Sequence, residues 1–425
     1  MNENIKLLII SNNALQLSNS NGRTLIKLLN NVSKNNIAQF CLSGIPDFNF
    51  CDKCFILTDN DALDAIFSRK KFINKSFIKN QTSFEVNVLK NKKTSKKITR
   101  NCRNMVIRNL IWKTYFWWTK ELDFFIKSFA PNVILFQAGD APFMIDITLK
   151  ISKKFNLPII VFNSENFVLK KYMYSSIKKQ NFWHLILHKS LKTKYKKLVK
   201  KAKSFVYSTE YLKEEFDKKY NSNSFVIYTS SNMNKLIPIK HDGFIISYIG
   251  NLGVGRYLAL AEIAEVLDKF FPMMKLQIFG KFENDEEKQY VCKFSSVIYK
   301  GLISYEEIPF QMQKSDLLLH CESSERIENL KGAFSTKIAD SLSCGIPFLV
   351  YASREYPFVK YLIKNDAALI ASNQNELIET LSLCLKDKNF LNQKVSNALN
   401  TALKYHNESK NSNLMFKLLL NAINK

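Results

Sequence analysis

Along this chain, short runs of consecutive apolar residues alternate with segments in which apolar residues recur every three or four positions. In the first half, residues 5–10, 37–42, 54–57, 133–136, 157–162, 205–207 and 225–228 read as strands. After the first of them, Asn21-Gly22-Arg23-Thr24 opens an amphipathic helix through Leu25, Leu28 and Leu29. Strands that are apolar throughout and separated by helical segments predict a parallel sheet covered on both faces. Between residues 80 and 129 the alternation breaks. A polar, lysine-rich stretch leads there into a long helix carrying Ile107, Leu110, Ile111, Trp112, Tyr115, Phe116, Trp117 and Trp118.

Residues 233–242 turn polar around Pro238 and read as an interdomain linker. A second alternating set follows, with strands at 244–249, 275–279, 297–299, 317–320 and 348–351 and helices at 257–270 and 305–313. Beyond residues 367–370 the leucine spacing is helical to Leu420. A chain of 425 residues is too long for one ordinary core. The expected architecture is α/β, with two doubly wound Rossmann-like domains. The first spans 1–236 and carries a basic helical insert at about 70–130, and the second spans 237–402. Residues 403–425 form a C-terminal helix that packs back on the first domain. Ligands of such sheets bind beyond the carboxyl ends of the strands, so the cleft between the domains is the expected site.

Composition narrows the class. At 46% hydrophobic and 23% charged residues the chain is globular. No apolar run approaches the ~20 residues of a membrane span. The N-terminus lacks the basic and long apolar regions of a signal peptide, which predicts a cytoplasmic protein. Eight cysteines in this length do not make a disulfide framework. Cys51 and Cys54 are the one close pair and have no second pair to complete a zinc site, while His184 and His188 lack a third ligand, so no metal is expected. The net charge of +25 is concentrated. Residues 69–120 hold fifteen Lys/Arg against Glu85 alone, and residues 170–203 hold twelve lysines and no acid, which accounts for the whole excess. A basic balance confined to one domain predicts a polyanionic partner, either nucleic acid or an anionic membrane.

Two segments of the second half carry candidate chemistry. In Ser335-Thr336-Lys337-Ile338-Ala339-Asp340-Ser341-Leu342-Ser343-Cys344-Gly345-Ile346-Pro347, the hydroxyls are good N-caps. Ile338, Ala339 and Leu342 share a helical face, and Gly345 ends the helix with Pro347 just beyond. A hydroxyl-rich helix start next to a lysine suits an anion. In Tyr248-Ile249-Gly250-Asn251-Leu252-Gly253-Val254-Gly255-Arg256, a strand leaves through a glycine turn into a helix. Glycines admit a ligand close to the backbone, and Arg256 offers a fixed charge for phosphate oxygens. Both Arg256 and Lys337 are expected to be exposed in a cleft.

Together these segments resemble the diphosphate clamp of GT-B glycosyltransferases of the family-4 (group 1) kind, enzymes of bacterial surface-polysaccharide biosynthesis. The resemblance implies donor binding by Gly250, Asn251, Gly253, Ser335, Thr336 and Asp340, with Arg256 and Lys337 stabilising the leaving group. Counted back from Gly345-Ile346-Pro347, the family's paired glutamates fall at Asp340 and Gly332. Asp340 would bond the donor ribose. Gly332 cannot act as an acid, and Glu322, just past the strand at 317–320, is the expected replacement in contact with the sugar or its leaving group. In the first half, polar residues past strand ends resemble the acceptor side of the same enzymes. These are Asn12, Asn13, Gly22, Arg23, Asp140 and Glu165.

The resemblance implies a retaining, metal-independent transfer with no cofactor beyond the nucleotide-diphosphate sugar as co-substrate. A lipid-linked saccharide is the implied acceptor, with the protein peripheral at the inner face of the cell membrane and the 107–118 helix either buried or interfacial. Two other readings remain open. A nucleic-acid-binding protein fits the charge, although no recognised binding motif is present, so no specific nucleic acid is expected. A catalytically silent, nucleotide-binding scaffold fits Gly332.

Overall fold

The computed structural model describes residues 5–17, 19–44, 46–67, 75–78, 101–170 and 181–424. The chain divides into two compact units, residues 1–228 with 409–425, and residues 229–408.

Unit 1 is built on an eight-stranded sheet. Its strands are β1 (Leu7–Asn13), β2 (Ile37–Ser43), β3 (Lys53–Ile56), β4 (Lys75–Ile78), β5 (Val133–Gln137), β6 (Ile159–Asn163), β7 (Ser204–Tyr207) and β8 (Ser224–Val226). Their spatial order is β4-β3-β2-β1-β5-β6-β7-β8. Every described pairing is parallel except β3 with β4. The helices are α1 (Ser20–Leu28), α2 (Asp59–Phe67), α3 (Cys102–Lys113), α4 (Lys120–Phe129), α5 (Pro142–Phe155), α6 (Phe182–Val199) and α7 (Glu210–Tyr220). Side chains alternate across β1. Leu8 and Ile10 enter one core with Phe40, Trp112 and Phe143, and Leu7 and Ile9 enter another with Leu25 and Leu28.

Unit 2 holds six parallel strands, β9 (Phe244–Ile249), β10 (Met274–Phe279), β11 (Val297–Gly301), β12 (Leu317–Cys321), β13 (Phe348–Tyr351) and β14 (Leu369–Ala371). Their order is β11-β10-β9-β12-β13-β14. Counted from the first strand of the unit, this is the 3-2-1-4-5-6 order of a Rossmann sheet, with its switch point between β9 and β12. The helices are α8 (Arg256–Phe270), α9 (Asp285–Cys292), α10 (Ile308–Gln313), α11 (Ile327–Leu330), α12 (Thr336–Ser343), α13 (Pro357–Lys364), α14 (Gln374–Lys386) and α15 (Lys388–Tyr405). The last helix, α16 (Glu408–Ile423), belongs to unit 1 from Ser409 on. Met415, Leu418, Leu419 and Ala422 pack there against Leu7, Ile9 and Leu135.

Three expectations change. The boundary falls after Tyr228 rather than at 236, because the segment read as a linker is fastened to unit 2. Leu236 N–H donates to Cys344 O at 2.8 Å, Ile239 N–H to Gln313 O at 2.7 Å, and Met233 and Leu236 pack against the α12–α13 core. The long aromatic helix stops at Lys113. Tyr115 takes φ 56°, and the chain folds back so that Trp117 Nε1–H donates to Trp112 O at 2.9 Å. Trp112 stacks on Phe143 at 4.9 Å and both tryptophans lie in the core, while Ile107, Leu110 and Phe116 of the same segment stay exposed. The basic insert contains the edge strand β4, while residues 70–74 and 79–100 of it lie outside the described residues.

The anchoring of α16 gives a first prediction. Leu419→Ala removes a fully buried side chain and costs about 2–5 kcal/mol in chemical denaturation. Leu414→Ala, on the exposed side of the same helix, stays within about 0.5 kcal/mol. Equal effects of the two would contradict the packing.

Candidate functional site

β9 ends at Ile249, and the chain turns through 250–255 into α8. Gly250, Val254 and Gly255 all take positive φ, of 145°, 66° and 76°. This turn lies at the carboxyl edge of β9, next to that of β12, where a parallel sheet leaves room for a ligand. The first helical residue, Arg256, turns its guanidinium back over the loop. Nη1–H donates to Asn251 O at 3.3 Å and Gly253 O at 3.1 Å, and Nη2–H to Glu322 Oε1 at 2.6 Å. Glu322 follows the last residue of β12, so one ion pair spans the switch point.

The pair is buried, with Arg256 9% and Glu322 6% exposed. Desolvation opposes ionisation of Glu322, but the hydrogen bond from His320 and the Arg256 charge outweigh it and hold the carboxyl down at about 2. His320, fully inside, is pushed down to about 4 by burial, so its imidazole is neutral near pH 7. Its Nε2 lies 3.4 Å from Glu322 Oε1. The ion pair is end-on. Among the described residues Glu322 Oε2 and Arg256 Nε are buried without hydrogen-bond partners, a donor and an acceptor left available to something else.

Lys337 arrives from the other segment. Ser335 caps α12, its Oγ accepting from Lys337 N–H at 3.3 Å. Ser335 and Thr336 thus form the start of α12, beside the side chain of Lys337. That side chain lies over the Tyr248 ring at 4.4 Å, with Nζ donating to Tyr248 Oη at 2.8 Å. Tyr248 Oη–H in turn donates to Asn251 O at 2.5 Å, the carbonyl that Arg256 also holds. The two cations therefore converge on one loop although the sequence separates them widely. Burial, reinforced by the Arg256 charge, pushes Lys337 down to about 8. A Cβ on Gly250 would stand 2.5 Å from Lys337 Cδ, so glycine there makes room for the lysine. At Gly253 a Cβ would stand 2.5 Å from Glu283 Oε1, and Asn251 Oδ1 accepts from Gly253 N–H at 2.8 Å.

One expectation needs correction here. Arg256 is buried rather than exposed, because three acceptors draw its guanidinium inward. Asp340 does not present a bare carboxylate, since Oδ1 accepts from Ser231 Oγ–H at 2.7 Å, fastening the start of unit 2 to α12. Gly332 is buried, and of the acids after β12, Glu325 and Glu328 are exposed while Glu322 is inside. Tyr248, His320 and Ser231 were not singled out from sequence. Each is a polar residue in or beside an apolar run, and that is the signal that could have found them.

In unit 1 the carboxyl ends of β1, β5 and β6 lie side by side. They bring together Asn12 at the end of β1, Gly139 and Asp140 past β5, and Glu165 past β6. A Cβ on Gly139 would stand 2.8 Å from Asn12 Nδ2, so that amide lies directly over the glycine. Asp140 is buried, and its charge and that of Glu165 both act on Lys170, a residue not singled out from sequence. The N-caps of α5 and α6 are Ala141 and Asn181. Asn13 is tied to the neighbouring strand, its Oδ1 accepting from Ser43 Oγ at 2.8 Å. Gly22 and Arg23 lie in the first turn of α1, where Asn19 Oδ1 accepts from Gly22 N–H at 2.6 Å. Cys54 lies 3.7 Å from Cys41, both as buried thiols, and His188 Nε2 meets Val168 O at 2.9 Å.

Residues 256–415 match a family model described as glycosyl transferase-like. No curated protein matches the chain. Among solved structures, it is similar to HepE from Anabaena in complex with UDP, at 12% identity over 98% of this chain and 100% of that one, with a TM-score of 0.64. Sucrose-phosphate synthase from Thermosynechococcus elongatus is 12% identical over 97% of each chain, with a TM-score of 0.61. The lipopolysaccharide outer core galactosyltransferase WaaB, in its apo form, is 13% identical over 97% of this chain and 99% of its own, with a TM-score of 0.55. The likeness is one of fold. Two Rossmann-like units of the GT-B type make up this chain.

The buried pair and the crowded glycine make separate predictions. Arg256→Ala leaves Glu322 inside without its counter-charge and costs about 3–5 kcal/mol, whereas the double change Arg256→Met with Glu322→Gln costs much less in the same unfolding experiment. Gly250→Ala adds a clash and backbone strain together worth about 1–3 kcal/mol. A melting temperature unchanged by Arg256→Ala would contradict the burial assigned to the pair.

Proposed function

We propose that the protein is a retaining, metal-independent hexosyltransferase. It moves a sugar from a nucleotide-diphosphate donor onto a growing, lipid-linked saccharide of capsule, O-antigen or exopolysaccharide. The observation that carries this reading is the convergence of Arg256 and Lys337 on the 250–255 loop at the switch point of unit 2. The glycosyl transferase-like match over 256–415 supports it, as does the presence of UDP on a neighbour of the same fold. That neighbour also has a UDP-glucose complex, which favours a hexose. For the acceptor, the support is the WaaB likeness and the polar cluster at the strand ends of unit 1.

In the reaction the bond between the anomeric carbon and the phosphate oxygen breaks, and the acceptor oxygen bonds to the same face of that carbon. The acceptor proton passes to the departing phosphate. Negative charge grows on the diphosphate, where Lys337 Nζ and Arg256 Nε, with the start of α12 at Ser335 and Thr336, stabilise it in place. Gly250, Asn251 and Gly253, in the loop on which Arg256 and Lys337 converge, line the donor. Glu322, held ionised at about 2, is a poor proton acceptor near pH 7. Its role is to take a donor-sugar hydroxyl at Oε2 and to keep Arg256 aimed. Asp340, with Ser231 bonded to it, serves the ribose side of the donor. Asn12, Asn13, Gly22, Arg23, Asp140 and Glu165 contact the acceptor. No cofactor is required, because two fixed side-chain charges neutralise the leaving group.

A nucleotide-binding scaffold without turnover is the second reading, favoured by Gly332 at the family's glutamate position. One experiment separates them. The purified protein is melted with a panel of uridine, guanosine and cytidine diphosphate sugars, and the stabilising donor is then tested for hydrolysis and transfer. At a donor concentration of about 100 times Kd, stabilisation is about 2.7 kcal/mol, seen as a shift of several degrees. Lys337→Met abolishes that shift and lowers turnover about 10²–10³-fold. Stabilisation without any turnover would select the scaffold. No stabilisation by any donor, or a Lys337→Met protein as active as the parent, would overturn both.

A further inference from the structure

We propose that unit 1 docks on an anionic bilayer through the outer faces of α3 and α6. It deepens the lipid-linked reading, on which it rests for its purpose, and its evidence is independent of the donor site.

The two helices pack side by side, and Asn109 on α3 meets Lys194 on α6 at 3.5 Å. On α6 the inward positions are His184, Leu187, Leu191, Tyr195 and Leu198, spaced as one helical stripe. The opposite face is divided along its length. Its first turns expose Phe182, Trp183, Leu185 and Ile186, and later turns expose Lys189, Lys196 and Lys197. Alongside, α3 exposes Ile107 and Leu110, with Arg103 one turn before them. Trp112 and Trp117 are in the core, so the exposed apolar surface belongs to other residues.

Charge identifies the occupant. An apolar face for another protein would be rimmed by both signs, whereas α6 and the lysine-rich stretch around it carry no acid from residue 170 to 203. Two acids that meet these helices are already engaged, Asp59 by Arg108 and Asp146 by Lys194. Aromatic and branched apolar side chains next to unopposed lysines fit acyl chains beneath anionic headgroups, the two signals that hold a helix at an interface. Nucleic acid would satisfy the lysines but leave Leu185, Ile186, Ile107 and Leu110 in water.

The test uses the full chain and large vesicles of phosphatidylglycerol with phosphatidylcholine, or of phosphatidylcholine alone, with no donor present. The protein is expected to sediment with the anionic vesicles and to be released by high salt. Trp183, the exposed tryptophan, is expected to be quenched by acyl-brominated lipid, and Trp183→Phe removes that quenching. Leu185→Glu with Ile186→Glu lowers vesicle affinity at least about tenfold while the melting temperature and any donor-induced shift persist. Leu110→Glu, on the other helix, gives a smaller loss in the same direction. Absence of sedimentation with anionic vesicles overturns the proposal. Equal binding by the parent and the double variant overturns it too, as does salt-sensitive retention on duplex DNA that rivals vesicle binding. A protein that binds donor but no vesicle refutes this surface and leaves the donor site standing.

Discussion

An arginine and a glutamate held together out of water, where the sheet of unit 2 reverses its winding, set most of what surrounds them. Taking two charges from water is costly, and further hydrogen bonds to a buried pair offset part of that cost. Asn251 and Gly253 supply carbonyls to Arg256, which fixes the glycine loop, and His320 supplies an N–H to Glu322. The same carbonyl of Asn251 orients Tyr248, and Tyr248 orients Lys337. Loop shape and lysine position are thus consequences of one pair. What the pair leaves unmet, Arg256 Nε and Glu322 Oε2, is a donor and an acceptor suited to a sugar phosphate.

The two units divide their electrostatics accordingly. Unit 2 concentrates a few charges at one sheet edge, in a low-dielectric setting where each counts heavily and salt screens little. Unit 1 spreads lysines over the outside of its helices, where single charges contribute little and only their sum matters. Of its inner acids, Asp140 acts on Lys170 and the half-buried Asp146 pairs with Lys194. A small anion fits the first pattern and a surface the second.

Much of this was legible in the sequence because apolar runs report buried strands directly. β9, read at 244–249, is Phe244–Ile249, and β13, read at 348–351, is Phe348–Tyr351. β1 was read to end at Ile10, yet Ser11 and Asn13 continue it, since pairing with Cys41 and Ser43 satisfies their backbone. Polar residues in a strand end are invisible to an apolar count. The helix through 107–118 failed because aromatic spacing does not reveal a turn at Tyr115. The segment at 233–242 looked like solvated linker because its fastenings, Leu236 to Cys344 and Ile239 to Gln313, join residues distant in sequence. Lys337 and Arg256 could be chosen as cations from their motifs, but that Arg256 is buried and Lys337 rests on Tyr248 follows only from three-dimensional packing.

The central claim is that a diphosphate is held by Lys337 beside Arg256, and proton linkage tests it most directly. Lys337 ionises at about 8 in the unliganded protein, and an anion at Nζ must raise that value. Calorimetric titration of UDP at pH 8 in buffers of different ionisation enthalpy should therefore show uptake of about half a proton per nucleotide. Uptake should fade toward pH 6.5, where the lysine is already charged, and vanish in Lys337→Met. Binding of UDP with no dependence on buffer at pH 8 would place the diphosphate away from Lys337 and contradict the account.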